Sequence, residues 1–248
     1  MRVLVPLPDH DFDITEVAVP GKLLTRAAHT VVFATEHGAA PACDPVLMRG
    51  VVFGQLGAKP EPRAFYAEMA ASPEFQAPLR WDAIDPAAFD GLWLAGGHAQ
   101  GMKQYLGSEL LQSKVASFFA LGRPVAAICH GVLVAARARA SDGHSPLFGK
   151  RTTCLPKYME RTAFYLTAWR RGRYYRTYPA YVEDEVRAAL ASPADFVRGP
   201  TTLTRYGTDA DDRGAFVCED GGAGGHYLSA RWPGDAYLLA KKFMARLG

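Results

Sequence analysis

The sequence predicts an α/β fold: a doubly wound, mostly parallel sheet with helices on both faces and added loop and helical elements. Short apolar runs alternate with longer amphipathic stretches along the 248 residues, which is the pattern of a parallel sheet. Most of the apolar runs end at Gly, Pro or Asp, as buried strands do. One of them, Val125–Ile128, passes directly into Cys129-His130-Gly131 and then into a second apolar run. That arrangement indicates a strand that enters a helix through one sharp turn.

The first half of the chain supplies three strands and several helices. Pro20 is expected in the first turn of its helix, where its missing N–H costs little. Residues 38–62 are rich in Gly, Pro and Ala and are expected to be irregular, with room for short strands around Val51–Phe53. The predicted strands are Arg2–Leu7, Thr30–Thr35 and Phe89–Ala95, and the predicted helical segments are Val17–Ala28, Arg63–Ala71, Phe75–Ile84 and Glu109–Leu121.

The second half continues the alternation after the sharp turn. The predicted helices are Val132–Arg139, Lys157–Arg173, Tyr181–Ala191 and Ala236–Leu247, and the predicted strands are Arg151–Leu155, Phe196–Arg198, Leu203–Tyr206, Ala215–Cys218 and His226–Ala230. There is no internal repeat and no linker long enough to divide the chain. We therefore expect residues 1–248 to form a single domain.

Composition narrows the class of protein. The hydrophobic fraction of 49% is ample for a core, and the net charge of +3 gives no electrostatic reason to expect a nucleic-acid partner. Four widely spaced cysteines suggest a reducing compartment. The first residues lack the features of a signal peptide, and no apolar run is long enough to span a membrane. We expect a soluble, cytoplasmic protein with no membrane partner.

Cys129 is the candidate nucleophile. A lone cysteine at the end of a strand is usually a small buried apolar residue. Here the sharp turn would lift the thiol out of the sheet, and the following helix would favour a thiolate. The adjacent His130 can titrate near neutrality, and Gly131 permits a close approach of the backbone. These neighbours favour a catalytic thiol.

Other polar residues come directly after predicted strands. Because the carboxyl ends of parallel strands share one crevice, these side chains are expected to lie near the thiol. Glu16 could instead be a capping carboxylate, the glycine pair only a turn, and Glu160 an exposed helical residue. The candidates are Glu16, Gly96, Gly97, His98, His130, Tyr158 and Glu160.

Five motifs, in order along nearly the whole chain, carry a resemblance to a known family. They are EVAVP (Glu16–Pro20), LAGGHA (Leu94–Ala99), AAICHG (Ala126–Gly131), TCLPKYME (Thr153–Glu160) and SARWPGDA (Ser229–Ala236). The sequence resembles the ThiJ/PfpI superfamily, which has the class I glutamine-amidotransferase-like fold. The resemblance implies a flavodoxin-like sheet order, a homodimer and an enzyme that needs no cofactor.

The resemblance also implies roles for individual residues. Cys129 matches the family's elbow cysteine, and Glu16 matches the carboxylate that hydrogen-bonds that thiol. In the glyoxalase III and holding-chaperone branch, a Cys-His-Glu triad would map to Cys129, His130 and Glu160. The oxyanion-binding and substrate-binding positions match Gly96, Gly97, His98 and Gly131.

The chemistry of these groups suits addition of sulfur to a carbonyl compound. His130 could take the thiol proton if Glu160 orients it. Glu16 is expected to be protonated and to donate to sulfur, because two adjacent negative charges disfavour each other. That arrangement is expected to keep Cys129 ionised.

Three functions follow from the resemblance. The first is glyoxalase III-like (D-lactate dehydratase) conversion of methylglyoxal to D-lactate, or related deglycase chemistry on a small-molecule carbonyl substrate. The second is a cysteine peptidase or amidase that uses the same triad. The third is a stress-related holding chaperone or redox-responsive protein. A glutamine amidotransferase is not expected, because no His-x-Glu motif occurs near the end of the chain.

Two further signals are discounted. His10, His98 and His226 have no ligand spacing, so no metal site is expected. Trp169–Tyr178 interleaves arginines with aromatic residues and superficially suggests nucleic-acid stacking. We interpret it as a surface helix end and loop, or as a segment that borders the pocket or a dimer interface.

Overall fold

The structure is a computed structural model that describes residues 1–50, 57–202, 205–221 and 225–248. The strands expected around Val51–Phe53 lie outside the described residues, as does part of the predicted strand Leu203–Tyr206. In the described part of the chain, no helix is both long enough and apolar enough to cross a membrane.

The alternation of strands and helices is that of the sequence prediction. In chain order the strands are β1 (Arg2–Pro6), β2 (His10–Phe12), β3 (Thr30–Thr35), β4 (Ala42–Cys43), β5 (Leu79–Arg80), β6 (Gly91–Leu94), β7 (Val125–Ile128), β8 (Val217–Glu219) and β9 (Tyr227–Ala230). The helices are α1 (Ile14–Arg26), α2 (Pro45–Arg49), α3 (Pro60–Ala70), α4 (Pro73–Gln76), α5 (Met102–Gly107), α6 (Glu109–Ala120), α7 (Val132–Arg137), α8 (Lys157–Arg171), α9 (Val182–Ala188) and α10 (Ala236–Leu247).

Seven strands form one sheet in the order β5-β3-β1-β6-β7-β9-β8. All neighbours are parallel except β8, which runs antiparallel to β9. β2 and β4 pair separately, in parallel. Every residue of the central strands β6, β7 and β9 is buried, and helices pack around the sheet. The predicted mostly parallel, flavodoxin-like α/β fold is confirmed.

Several local predictions were wrong, among them the strand Phe196–Arg198, of which only Phe196 takes part in an isolated bridge. The predicted strand Arg151–Leu155 forms only an isolated bridge between Thr152 and Phe196, because the Thr152 hydroxyl and the Thr153 amide bond instead to side chains of β9. The predicted helical segment 75–84 divides into α4, β5 and a 3₁₀ turn, because Pro78 cannot continue a helix. The irregular segment 38–62 contains β4, the whole of α2 and the start of α3.

Pro20 lies inside α1 and not in its first turn, because α1 begins six residues earlier, at Ile14. Proline has no N–H to donate to the carbonyl four residues before it, which is that of Glu16. The Trp93 indole N–H donates to this Glu16 carbonyl instead, at 2.9 Å. The proline therefore leaves an acceptor on α1 that ties Glu16 to the neighbouring strand β6.

A fully buried ion pair ties the end of the chain to the loop before β8. The Arg231 guanidinium donates to both Asp235 carboxylate oxygens, at 2.8 Å each, and neither side chain is exposed. Arg231 also donates to the carbonyls of Pro200 and Gly214. Asp235 accepts the Phe216 amide at 2.9 Å. With so many partners, loss of either charge would leave the other buried and uncompensated.

We expect Arg231→Met to destabilise the fold by about 3–5 kcal/mol, because it leaves the Asp235 carboxylate buried without its partner. Urea denaturation at neutral pH measures the change. Arg213→Met is the matched control, since Arg213 pairs with Asp211 on the surface, where ion pairs contribute little. Equal stability of the two variants would contradict the expectation.

Candidate active site

Cys129 lies at the sharp turn that the sequence predicts. It follows β7 directly, begins a 3₁₀ turn that leads into α7, and has a φ of 57°. A positive φ is uncommon for a residue with a side chain and often marks a functional site. Gly131 lies so close to β6 that a Cβ atom there would be 2.3 Å from the Leu94 carbonyl oxygen. Only glycine fits, so Gly131 serves the close packing of the elbow against β6.

The Glu16 carboxyl reaches the same point from α1. The Gly96 amide donates to Glu16 Oε2 at 2.7 Å. A Cβ atom on Gly96 would lie 3.0 Å from Glu16 Oε2, 3.1 Å from Cys129 Cβ and 2.7 Å from the His130 amide nitrogen. Gly96 thus allows the loop after β6, the elbow and α1 to converge. Glu16 Oε1 is buried and has no hydrogen-bond partner among the described residues.

Asp13 fixes the start of α1. Its carboxylate accepts the amides of Thr15 at 2.8 Å and Glu16 at 3.2 Å, which is the bonding of an N-cap. Its own amide donates to the Gly96 carbonyl at 2.9 Å. Burial raises the pKa of Asp13 to about 7, against the lowering effect of the two capping amides. Asp13 therefore places a second buried carboxyl beside the site.

Burial dominates the electrostatics of the carboxyl and the thiol. It raises the pKa of Glu16 well above its usual value, and the nearby Asp13 charge raises it further. The expected protonated Glu16 agrees with this direction. Burial also raises the pKa of Cys129 well above its usual value, with the charges of Glu16 and Asp13 adding to the effect. The expectation of an ionised resting thiol was therefore wrong, because a raised pKa favours the neutral thiol at neutral pH.

Two imidazoles adjoin the thiol. His130 Nδ1 lies 3.5 Å from Cys129 Sγ, and the centroids of the His130 and His98 rings are 4.8 Å apart. Burial lowers the pKa of His98 to about 4. Burial also lowers the pKa of His130 well below its usual value, with smaller contributions from His98 and Arg137. Both rings are therefore neutral at neutral pH, and His130 is placed to accept the thiol proton.

Glu160 is buried, but its carboxyl bonds to residues other than His130. Its Oε2 accepts the Val182 amide at 3.2 Å, and its Oε1 lies 3.9 Å from Arg176 Nη1. In the described part of the chain, no hydrogen bond joins Glu160 to His130. The structure therefore does not show the predicted Cys-His-Glu triad, and a catalytic role for Glu160 stays a prediction.

Two of the predicted oxyanion-binding residues, Gly96 and Gly97, differ in whether their amides already donate a hydrogen bond. The Gly96 amide is already taken by Glu16. The Gly97 amide donates no hydrogen bond to any described residue, and a Cβ atom at Gly97 would lie 2.8 Å from the Asp11 carbonyl oxygen. The Gly97 amide is thus the donor of the two that is not already used, and its role in binding an oxyanion stays a prediction.

Sequence reasoning missed several residues around the thiol. Asp13 could have been identified from the sequence, because an Asp just before a helix is a common N-cap. Tyr174 and Tyr175 belong to the aromatic and arginine segment; their rings lie 6.4 and 4.6 Å from that of His98, centroid to centroid. The segment borders the site, which was the alternative interpretation. The Tyr174 hydroxyl also donates to Asp44, which lies 130 residues away in the chain. No local sequence pattern could have indicated this contact.

Two clusters have the residue types of metal ligands. The ligand atoms of His98, Cys129 and His130 all lie within 4.8 Å of one another, as do those of Asp9, Glu36 and His37. The first could hold a soft cation such as Zn²⁺ and the second a harder one. Neither cluster is the His10, His98 and His226 set considered from the sequence.

A buried cysteine on a strand-to-helix elbow, beside a buried glutamate, defines a class of α/β proteins with a reactive thiol. A family model described as ThiJ/PfpI family-like matches residues 7–200. The chain belongs to the ThiJ/PfpI family, as its motifs indicated.

The chain is also similar to known proteins in sequence or in fold. An uncharacterized protein of Schizosaccharomyces pombe is 25% identical over 249 residues, covering 97% of this chain and 82% of that protein. The crystal structure of glyoxalase III from Candida albicans is similar with a TM-score of 0.71 and 16% identity, covering 99% of this chain and 97% of that one. Drosophila melanogaster DJ-1beta is similar with a TM-score of 0.58 and 18% identity, covering 99% and 89%. At these identities the two structures show a shared fold.

We expect Asp13→Asn to speed the alkylation of Cys129 at pH 7. Asparagine can still cap α1, but the nearby charge that raises the thiol pKa is gone. Each unit by which that pKa falls raises the thiolate fraction about tenfold. Mass spectrometry of Cys129 after iodoacetamide treatment measures the rate. Asp85→Asn is the control, because Asp85 caps an exposed turn elsewhere. Equal rates in both variants would contradict this account.

Glu160→Gln tests the buried carboxyl through the pH dependence of stability. Burial raises the pKa of Glu160 to about 7, above its value in the unfolded chain. Its stabilising contribution is therefore complete below about pH 4.5 and is lost as the pH rises through 7. Relative to wild type, the variant should gain up to about 3 kcal/mol in the free energy of unfolding between pH 4.5 and 8.

The control for this measurement is Glu219→Gln. Hydrogen bonds from Lys242 and Arg246 lower the pKa of Glu219, so its contribution is present at high pH and is lost as the pH falls. That loss occurs below about pH 4.5, so urea denaturation between pH 4.5 and 8 should show a nearly constant difference between Glu219→Gln and wild type, unlike Glu160→Gln. A difference between Glu160→Gln and wild type that does not change with pH would argue against a raised pKa.

Proposed function

We propose that the protein is a cofactor-independent cysteine enzyme that converts methylglyoxal to D-lactate or carries out closely related chemistry on small reactive carbonyl compounds. One observation carries the proposal: the Glu16 carboxyl, with one oxygen held by Gly96 and the other unpartnered, lies beside the Cys129 thiol. A single carboxyl in that position can move a proton between the two adjacent carbons of an α-oxoaldehyde.

The first step forms a hemithioacetal. Cys129 Sγ attacks the aldehyde carbon, and its proton passes to His130 Nδ1, which lies 3.5 Å away. The protonated Glu16 carboxyl gives its proton to the aldehyde oxygen, which becomes a hydroxyl. Glu16 is then a carboxylate next to the carbon that carries the remaining aldehyde hydrogen. The Gly97 amide, which donates no hydrogen bond to any described residue, would stabilise charge on oxygen.

The second step moves hydrogen between carbons. Glu16 removes the proton from the former aldehyde carbon while His130 returns its proton to the ketone oxygen, which gives an enediol. Glu16 then delivers its proton to the second carbon and takes back the hydroxyl proton as the thioester carbonyl forms. The first carbon is thereby oxidised to the acid level and the second is reduced to an alcohol. Water hydrolyses the thioester, which releases lactate and restores the thiol.

A hydrolase would use the same thiol but would need a different arrangement of the groups around it. Peptide or amide hydrolysis needs a base that is oriented by a third group. Glu160 bonds to Val182 and lies near Arg176 instead of orienting His130. The proton shuttle through Glu16 needs no such third group, so the geometry favours carbonyl isomerisation over hydrolysis.

A holding chaperone is the second candidate function. Tyr165, Leu166 and Trp169 on α8 are each more than 60% exposed, and exposed apolar clusters can bind unfolded chains. This activity would not need the thiol.

D-lactate formation from methylglyoxal, in the absence of glutathione, tests the proposal. We expect activity in wild type, a loss of at least about a thousandfold in Cys129→Ala, which removes the nucleophile, and a large loss in Glu16→Gln, which removes the proton carrier. Cys154→Ala is the matched control, because Cys154 is also a free, buried cysteine but lies outside the site.

No lactate from folded wild type would overturn the proposal. Suppression of client aggregation that is equal in wild type and Cys129→Ala would then support the chaperone. Turnover of peptide or amide substrates that depends on Cys129 would support the hydrolase.

A further inference from the structure

The reacting groups are almost inaccessible. Cys129 is 1% exposed, His130 3% and Glu16 0%. A substrate carbon must come into contact with Sγ before a bond can form. Some part of the cover must therefore move for any substrate to enter.

The cover includes residues 172–181, which join α8 to α9 and which we call the tyrosine loop. Tyr175 is buried, and its ring meets that of His98 edge to face, with the centroids 4.6 Å apart. The Tyr174 ring lies nearly parallel to that of His98, at an interplanar angle of 25° and a centroid distance of 6.4 Å. The Thr177 hydroxyl donates to the His98 carbonyl. His98 in turn adjoins Cys129 and His130, so the loop closes the site from this side.

Near its start, the loop also makes a polar contact with the N-cap of α2, which lies far from it in the sequence. The Tyr174 hydroxyl donates to Asp44 Oδ2, across 130 residues of sequence. Asp44 is 1% exposed and is itself firmly held: its Oδ1 accepts the Val46 amide at 2.8 Å, and its amide donates to the Phe12 carbonyl at 3.0 Å. Asp44 is therefore the fixed half of the contact and Tyr174 the half that can swing.

The loop has a suitable pivot. Gly172 ends α8 with a φ of 54°, and a Cβ atom there would meet nothing within 4 Å. The space beside the Gly172 Cα is open, and the Gly172 amide keeps one hydrogen bond, to the Ala168 carbonyl at 2.9 Å. Movement about Gly172 would carry Tyr174 and Tyr175 away from His98 together.

We propose that the hydrogen bond between Tyr174 and Asp44 is a latch that holds the tyrosine loop closed over Cys129 and limits the site to small carbonyl compounds. The gating part stands on the geometry alone, whereas the carbonyl part rests on the proposed function. Tyr174 and Asp44 would therefore determine specificity by controlling which molecules reach Cys129. Neither residue would take part in the reaction itself.

Alkylation of Cys129 by reagents of two sizes tests the latch. Iodoacetamide is small and pyrene maleimide is bulky, and mass spectrometry counts the modification at Cys129. In Tyr174→Phe we expect the rate with the bulky reagent to rise about fivefold to tenfold, which corresponds to the net contribution of one typical hydrogen bond. The rate with iodoacetamide should change much less.

Two further variants make the test specific. Tyr165→Phe removes a hydroxyl from an exposed tyrosine of α8 and should leave both rates unchanged. Asp44→Asn keeps a residue able to cap α2 but offers Tyr174 a weaker, neutral acceptor. It should resemble Tyr174→Phe, and the double variant should add little to either single change, because both break the same interaction.

The proposal is overturned if Tyr174→Phe reacts like Tyr165→Phe, or if both reagents accelerate equally. Alkylation needs no turnover, so this result is separable from the enzymatic test. If the variants open the site but wild type forms no lactate, the latch proposal stands and the proposed carbonyl substrate is ruled out. If wild type forms lactate but the variants do not change the preference for reagent size, the proposed enzymatic function stands and the latch proposal is wrong.

Discussion

The site depends on the complete burial of one carboxyl group, that of Glu16, against a thiol. An ionised carboxylate without a compensating cation is very unfavourable in such surroundings, so the group retains its proton. The Gly96 amide supplies the one hydrogen bond that orients it. The other oxygen has no hydrogen-bond partner among the residues that the structure describes. A proton is therefore stored where the proposed carbonyl chemistry would need one.

Much of the surrounding structure serves to place that carboxyl. Asp13 caps α1 and sets where the helix begins. Pro20 removes an N–H from the helix interior, and the Trp93 indole takes the carbonyl acceptor that is left. Glu16 is thus tied through its backbone to β6 and through its side chain to the loop that follows β6. A shift of α1 would break both contacts together.

The sequence predicted the parts of this arrangement that follow from local pattern. Alternating apolar and amphipathic segments predict the parallel sheet, and the carboxyl ends of parallel strands bring Glu16, Gly96 and Cys129 together without any knowledge of side-chain conformation. Glu160 shows the limit of that reasoning. Its position on α8 was predicted correctly, but its side chain bonds to Val182 and lies near Arg176. The direction of one side chain depends on packing partners that have no sequence signal. The contact between Tyr174 and Asp44, far apart in the chain, is beyond local pattern for the same reason.

The central claim is that Glu16 carries a proton in the resting site at neutral pH, and infrared difference spectroscopy measures this directly. The spectrum of wild type minus that of Glu16→Gln isolates the carbonyl stretch of this one group from those of the other buried carboxyls. The account predicts the band of a protonated carboxylic acid in the difference spectrum at pH 7. A carboxylate band in its place would contradict the proton-shuttle mechanism.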